Sequence, residues 1–109
     1  MTRTALGEFE HQVLLAMLQL GGKAYSAPIV IQIEERVGKS VAPAAVYIAL
    51  RRLEERGLLL STKEAPARNE GGRGKRVFEI TPAAMEKLKE SRRSLESLWE
   101  GLDPLFQSS

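Results

Sequence analysis

The chain contains no cysteine, one histidine and one tryptophan. The absence of cysteine excludes disulfides, thiolate zinc sites and a cysteine nucleophile together. A lone imidazole, His11, leaves no second histidine for a metal or a triad, and no serine sits in a nucleophile pattern. His11 is therefore expected as a polar surface or interface residue, and no metal or cofactor is expected. Long apolar runs are missing as well. The longest, Val13 to Leu20, contains Gln19 and falls far short of the roughly 20 residues that cross a bilayer. Residues 1–10 lack the basic-then-apolar pattern of a secretory signal. These features point to the cytoplasm, away from membranes. A phosphate-binding loop is excluded too, since Asn69 stands where its first glycine is required and Arg76 follows Gly74-Lys75.

The chain has 109 residues, 43% hydrophobic and 28% charged, which suits one small folded domain. Net charge is only +2, but it is unevenly placed. Residues 51–76 carry eight basic and four acidic side chains, a local net of +4. Residues 1–50 balance at zero, and residues 77–109 are net negative by two. A basic stretch of this kind is what a surface facing phosphates requires.

Leu6, Phe9, Val13, Met17 and Leu20 recur at helical spacing, predicting a helix over Leu6–Leu20 that Gly21-Gly22 ends. Leu14, Leu15 and Leu18 widen its apolar surface, which suggests burial on most sides, partly by a second subunit. A second helix is expected from Ser26, as cap, to Val37, with Pro28 in the first turn and Gly38 beyond the end. A third runs from Pro43 to Arg56. Its inner face is Val46, Ala49, Leu50 and Leu53, while Tyr47, Ile48, Arg51 and Arg52 point elsewhere. Two strands, Leu58–Thr62 and Val77–Thr81, flank a basic, glycine-rich loop at Ala65–Lys75, a β-hairpin with a long tip. Thr81 then caps a last helix, Pro82 to Asp103. Leu88, Leu95 and Leu102 stand seven apart there, beside Ala84, Ser91, Leu98 and Leu105. That spacing predicts a short coiled-coil seam ended by Pro104, with a frayed tail after it.

Three helices, a hairpin and a final helix make a mainly α fold with a small β-hairpin, the winged helix-turn-helix order. Residues 1–81 form the DNA-binding part, and residues 82–109 the dimerisation helix and tail of one compact unit. In this arrangement the third helix enters the major groove and the hairpin tip meets the backbone. Both fall in the basic stretch. The exposed bases and phenol there, Tyr47, Arg51, Arg52, Arg73, Lys75 and Arg76, are the candidate contacts with double-stranded DNA. The competing readings are an Arg51–Glu55 pair on a solvated face, a Tyr47 ring packed under the hairpin with its hydroxyl exposed, and Arg76 held by a hairpin carboxylate. A winged helix that binds only protein is the alternative, and it would call for a neutral or acidic third helix and wing.

Specific segments also resemble a known family. Leu6-Gly7-Glu8-Phe9-Glu10, Ala45-Val46-Tyr47-Ile48-Ala49-Leu50-Arg51-Arg52-Leu53-Glu54-Glu55-Arg56-Gly57-Leu58 and Lys75-Arg76-Val77-Phe78-Glu79-Ile80-Thr81-Pro82 are similar to the PadR-family transcription regulators. The resemblance implies a homodimer paired through its C-terminal helices, with Leu88, Leu95, Leu98 and Leu102 in the interface. It also implies repression at a pseudo-palindromic operator and, in some members, release by a small-molecule effector. Trp99 is the candidate effector contact, with interface packing as the plainer role. The chain departs from the family pattern at Ser26, where glycine is usual. It departs again at Pro43-Ala44-Ala45, which lacks the hydroxyl often found in the opening turn of the third helix.

Overall fold

The computed structural model describes residues 5–64 and 75–107. The order of elements is α1 (Glu8–Gln19), β1 (Lys23–Ala24), α2 (Ser26–Val37), α3 (Pro43–Glu55), β2 (Leu59–Lys63), β3 (Arg76–Ile80), α4 (Pro82–Trp99) and α5 (Asp103–Phe106). Helix α1 begins two residues later than its apolar spacing suggests, because Gly7 is its extended N-cap and donates its N–H to Glu10 Oε1 at 3.1 Å. At the other end Gly22 N–H donates to Met17 O and Gly21 N–H to Leu18 O, the paired bonds that close a helix through two glycines.

Tyr25, not Ser26, is the N-cap of α2, and it makes no side-chain cap bond. The reason lies just upstream. Lys23 and Ala24 pair with Glu79 and Phe78 as a short third strand, so the chain stays extended up to Tyr25 and Ser26 becomes the first helical residue. Two residues carry no readable alternation, and only the sheet reveals this strand. The sheet is antiparallel in the order β1-β3-β2, with Leu59 opposite Ile80, Ser61 opposite Phe78 and Lys63 opposite Arg76.

Helix α3 ends where Gly57, at φ 79°, takes a left-handed conformation that a side chain would strain. Gly57 N–H bonds Glu54 O, and Leu58 N–H bonds Leu53 O. This closure turns the chain directly into β2. Thr81 then links three elements. Its hydroxyl donates to Gly57 O at 2.9 Å and accepts from Ala84 N–H at 3.2 Å, capping α4 as expected, and its own N–H donates to Leu58 O.

The core draws on every one of these elements except α5. Val13, Leu14 and Met17 of α1 meet Ile29 and Ile33 of α2, Val46, Leu50 and Leu53 of α3, and Leu59 and Phe78 of the sheet. Phe78 is fully buried, and Ile80 packs on the same cluster. Helix α4 enters the core only through Ala84 and Leu88. The helix expected to reach Asp103 stops at Trp99. Gly101, at φ 82°, reverses the chain, and Pro104 lies in the first turn of the separate helix α5 instead of ending α4.

Candidate nucleic-acid interface

Burial of Val46, Ala49, Leu50 and Leu53 fixes the roll of α3. The helical period then turns Ala44, Ile48, Arg51, Arg52 and Glu55 outward, and all five are exposed. Tyr47 lies on the flank nearest the sheet. Its ring meets the Phe78 ring edge-on, centroids 6.1 Å apart and planes 79° apart, while 38% of the residue stays open. The ring is thus packed and its hydroxyl is accessible.

That hydroxyl accepts from Arg51 Nη1 at 3.1 Å, and Arg51 Nε lies 3.3 Å from Glu54 Oε1. Arg51 therefore pairs three residues on with Glu54, in place of the pair with Glu55 that the competing reading of a solvated face would have. The Arg51 contact is an ion pair without hydrogen-bond alignment, so Glu54 Oε1, itself buried, has no hydrogen-bond donor. The other oxygen, Glu54 Oε2, accepts from Ser61 Oγ at 2.6 Å, and Ser61 Oγ accepts from Arg76 Nη1 at 2.8 Å. Tyr47, Arg51, Glu54, Ser61 and Arg76 thereby form one polar chain from α3 across β2 to β3. Arg76 is held by a serine backed by a helix carboxylate, not by a carboxylate of the hairpin.

The electrostatics follow the geometry. The hydrogen bond from Arg51 holds the Tyr47 phenol below its ordinary pKa, against the opposing effect of burial, and the nearby charges of Arg51 and Arg76 add to the lowering. Reciprocally, the Tyr47 hydroxyl raises the Arg51 pKa. Both guanidinium groups thus stand beside one phenol. Lys75 is exposed just before β3, at the loop end of the hairpin, its Nζ 5.3 Å from the Tyr25 ring centre, and Tyr25 OH donates to Glu64 Oε1. Arg52 is exposed on α3. Arg73 lies outside the described residues.

Ser61, Glu54 and Tyr25 were not anticipated as parts of this site. Strand alternation held a signal for Ser61, which shares a strand face with buried Leu59 and so must point toward α3. No comparable signal marks Glu54, because its role depends on a strand that lies seven residues away. The helix start is poor in free donors. Pro43 has no N–H, and those of Ala45 and Val46 already donate to Ala42 O, which leaves that of Ala44.

A second surface lies between α1 and α4. Leu15 and Leu18 of α1 and Met85, Leu95 and Trp99 of α4 are all partly exposed around an open apolar groove of about 510 Å³. Leu98 and Leu102 are exposed nearby at 73% and 37%. Leu88, grouped with the seam in the sequence, is only 6% exposed and belongs to the chain's own core. The Trp99 ring packs against Phe106 of α5 with centroids 5.2 Å apart. His11 Nδ1 lies 3.5 Å from Ser91 Oγ, joining α1 to α4. Among the described residues no helix is long and apolar enough to cross a membrane.

Comparison with known proteins gives these surfaces a context. The profile described as "Transcriptional regulator PadR-like family" matches residues 14–90. Transcriptional regulator Rv3488 of Mycobacterium tuberculosis is 44% identical over 63 residues, which cover 58% of this chain and 55% of that protein, so the match spans about half of the relative's length. The crystal structure of a PadR family transcriptional regulator from Eggerthella lenta superposes with a TM-score of 0.67 at 26% identity, covering 89% of this chain and 82% of the other. F93 from STIV, a winged-helix DNA-binding protein, shares the fold at 13% identity, with a TM-score of 0.66 over 84% of this chain and 90% of its own.

Proposed function

The chain belongs to the PadR-like family of transcriptional regulators, and from that premise we propose that it represses transcription by holding a pseudo-palindromic operator as a homodimer. The observation that carries this reading is the convergence of Arg51, Arg76 and Tyr47 at the junction of α3 and the sheet. Two guanidinium groups of the central basic stretch meet beside one phenol there, with Arg52 exposed on the same helix, while Arg56 pairs with Glu10 of α1. Arg51 and Arg52 on α3 suit base edges in the major groove, where a paired guanidinium recognises guanine. Lys75, and with it Arg73, suits the flanking phosphates, which set affinity and register. Arg76 is held by Ser61 and serves to fix the hairpin against α3 as well as to add charge.

Pairing of two copies is supported by the exposed leucines of α4. Beyond Leu88 no residue of α4 is buried, and Leu95, Leu98 and Trp99 there are 47%, 73% and 50% exposed. A second copy of α4, with Leu15 and Leu18 of α1 alongside, would bury them. We assign Trp99, already packed on Phe106, to this contact, so an effector for this protein would enter between subunits. The test is binding of the protein to its own upstream DNA across a salt series, with sedimentation at micromolar concentration beside it. A dimer whose affinity falls steeply with salt is expected. A clean monomer overturns the pairing, and binding that is absent or indifferent to salt overturns the DNA reading.

A further inference from the structure

The half of α3 that leads into the groove is apolar on its outward side. Ala44, Ala45 and Ile48 are exposed, and 51% of Ile48 is open. Ile48 stands four residues after Ala44 and three before Arg51, so these three share one side of the helix, opposite buried Val46, Leu50 and Leu53. One exposed isoleucine is ordinary on a protein surface. Its position here is not, because the N-terminal residues of a recognition helix are those that reach base edges.

The surroundings of Ile48 narrow what it can meet. Among the exposed side chains of residues 43–48 only Tyr47 has a hydrogen-bonding atom, and that hydroxyl is engaged by Arg51 at the sheet side. Backbone donors are scarce at the same place, since Pro43 has none and the N–H groups of Ala45 and Val46 are bonded to Ala42 O. On the outward side of α3, side-chain hydrogen-bonded readout thus begins with Arg51, Arg52 and Glu55, a turn and more further along, with the Tyr47 hydroxyl on the sheet side and the Ala44 N–H at the helix start as the remaining donors. The apolar group that a base pair offers on the floor of the major groove is the 5-methyl of thymine.

We propose that Ile48, with Ala44 beside it, is the specificity-determining residue that reads thymine methyl groups in each half-site, next to the base pairs met by Arg51 and Arg52. The inference rests on the DNA-binding reading above and adds to it the chemistry of the bases selected.

The test uses the full chain and a native upstream fragment that it binds. Each thymine is replaced singly by uracil, which removes the 5-methyl and nothing else. The wild-type protein should lose about fourfold in affinity at one or two positions per half-site, the factor that follows from losing one buried methyl, and little at the others. Ile48→Ala, a change on an exposed helix face, should abolish the difference between thymine and uracil at those positions while leaving the salt dependence unchanged. Salt-sensitive binding that ignores every thymine methyl overturns this inference and leaves the DNA reading intact. Discrimination that survives in Ile48→Ala overturns it as well, since the methyl is then read elsewhere. Failure to bind any native fragment overturns the DNA reading, and this inference with it.

Discussion

Replacing Lys75 with Ala offers a quantitative check on the wing. Lys75 is exposed, and its described contact is the face of Tyr25, 5.3 Å from the ring centre. Such an exposed cation–π contact contributes about 0.5–1 kcal/mol. The variant should therefore fold, with at most that loss of stability. Its effect on DNA binding is different in kind. A lysine that neutralises a phosphate contributes about 0.9 to the slope of log affinity against log salt. A dimer presents the residue twice, so the variant's slope should be shallower by about 1.8. From about 50 to about 200 mM salt, the advantage of the wild type over the variant should then shrink by roughly twelvefold. Fluorescence anisotropy with one labelled operator and one scrambled duplex measures both slopes. The loss should be nearly equal for the two duplexes, because a phosphate contact carries no sequence information. Parallel salt lines for wild type and variant would refute the phosphate role, and a loss confined to the operator would refute the positioning role. A slope change of about half the expected size would mean that one copy is engaged.

Leu95→Asp places a carboxylate where about half of the leucine is already covered by its own chain, and pairing would bury the rest. An unpaired interfacial charge costs several kcal/mol per copy, so the dimer should weaken at least a hundredfold by sedimentation, with tight operator binding lost alongside; an unchanged dimer would show that α4 pairs elsewhere. Thr81→Ala removes the cap of α4 and the bond to Gly57 O. At about 1 kcal/mol each, urea unfolding at fixed protein concentration should show a loss near 2 kcal/mol, with Thr81→Ser close to wild type; a loss under about 0.5 kcal/mol would contradict the junction. Arg51→Ala should raise the Tyr47 titration toward that of an ordinary tyrosine, because the Arg51 bond is the largest cause of its lowering. The folded-state pKa of this phenol lies below the unfolded one, so its stabilising contribution grows as pH rises through the folded value, and the variant should flatten that rise. Ultraviolet titration against a Tyr47→Phe control checks this, and an unmoved midpoint would show that Arg76 alone sets the phenol.

The helices were legible in the sequence because their apolar faces repeat. Val46, Ala49, Leu50 and Leu53 mark the roll of α3 unaided, and with it the outward side that carries Ile48, Arg51 and Arg52. The ends were legible where a single residue has a local reason to stop or start a helix, as Gly38 and Thr81 do. Ser26 misled because a hydroxyl signals a cap only when the preceding chain is free to enter the helix there. In this protein Ala24 is already committed to a strand partner 54 positions away, Phe78. Leu88 misled for a related reason. Seven-residue spacing says which residues share a side of α4, but not which stretch of that side the protein's own core has already covered.

Local order, helix polarity, the basic centre and the turn chemistry are determined by the sequence itself, since each depends on residues within a few positions of one another. The chain of contacts from Tyr47 through Arg51, Glu54 and Ser61 to Arg76 depends instead on α3 and the sheet lying at one particular distance and register, and only the tertiary structure decides that. The same holds for the open half of α4. Exposure is a property of what packs where, and side chains with the same pattern become core at Leu88 and half-exposed groove lining at Leu95 because only Leu88 packs into the central cluster.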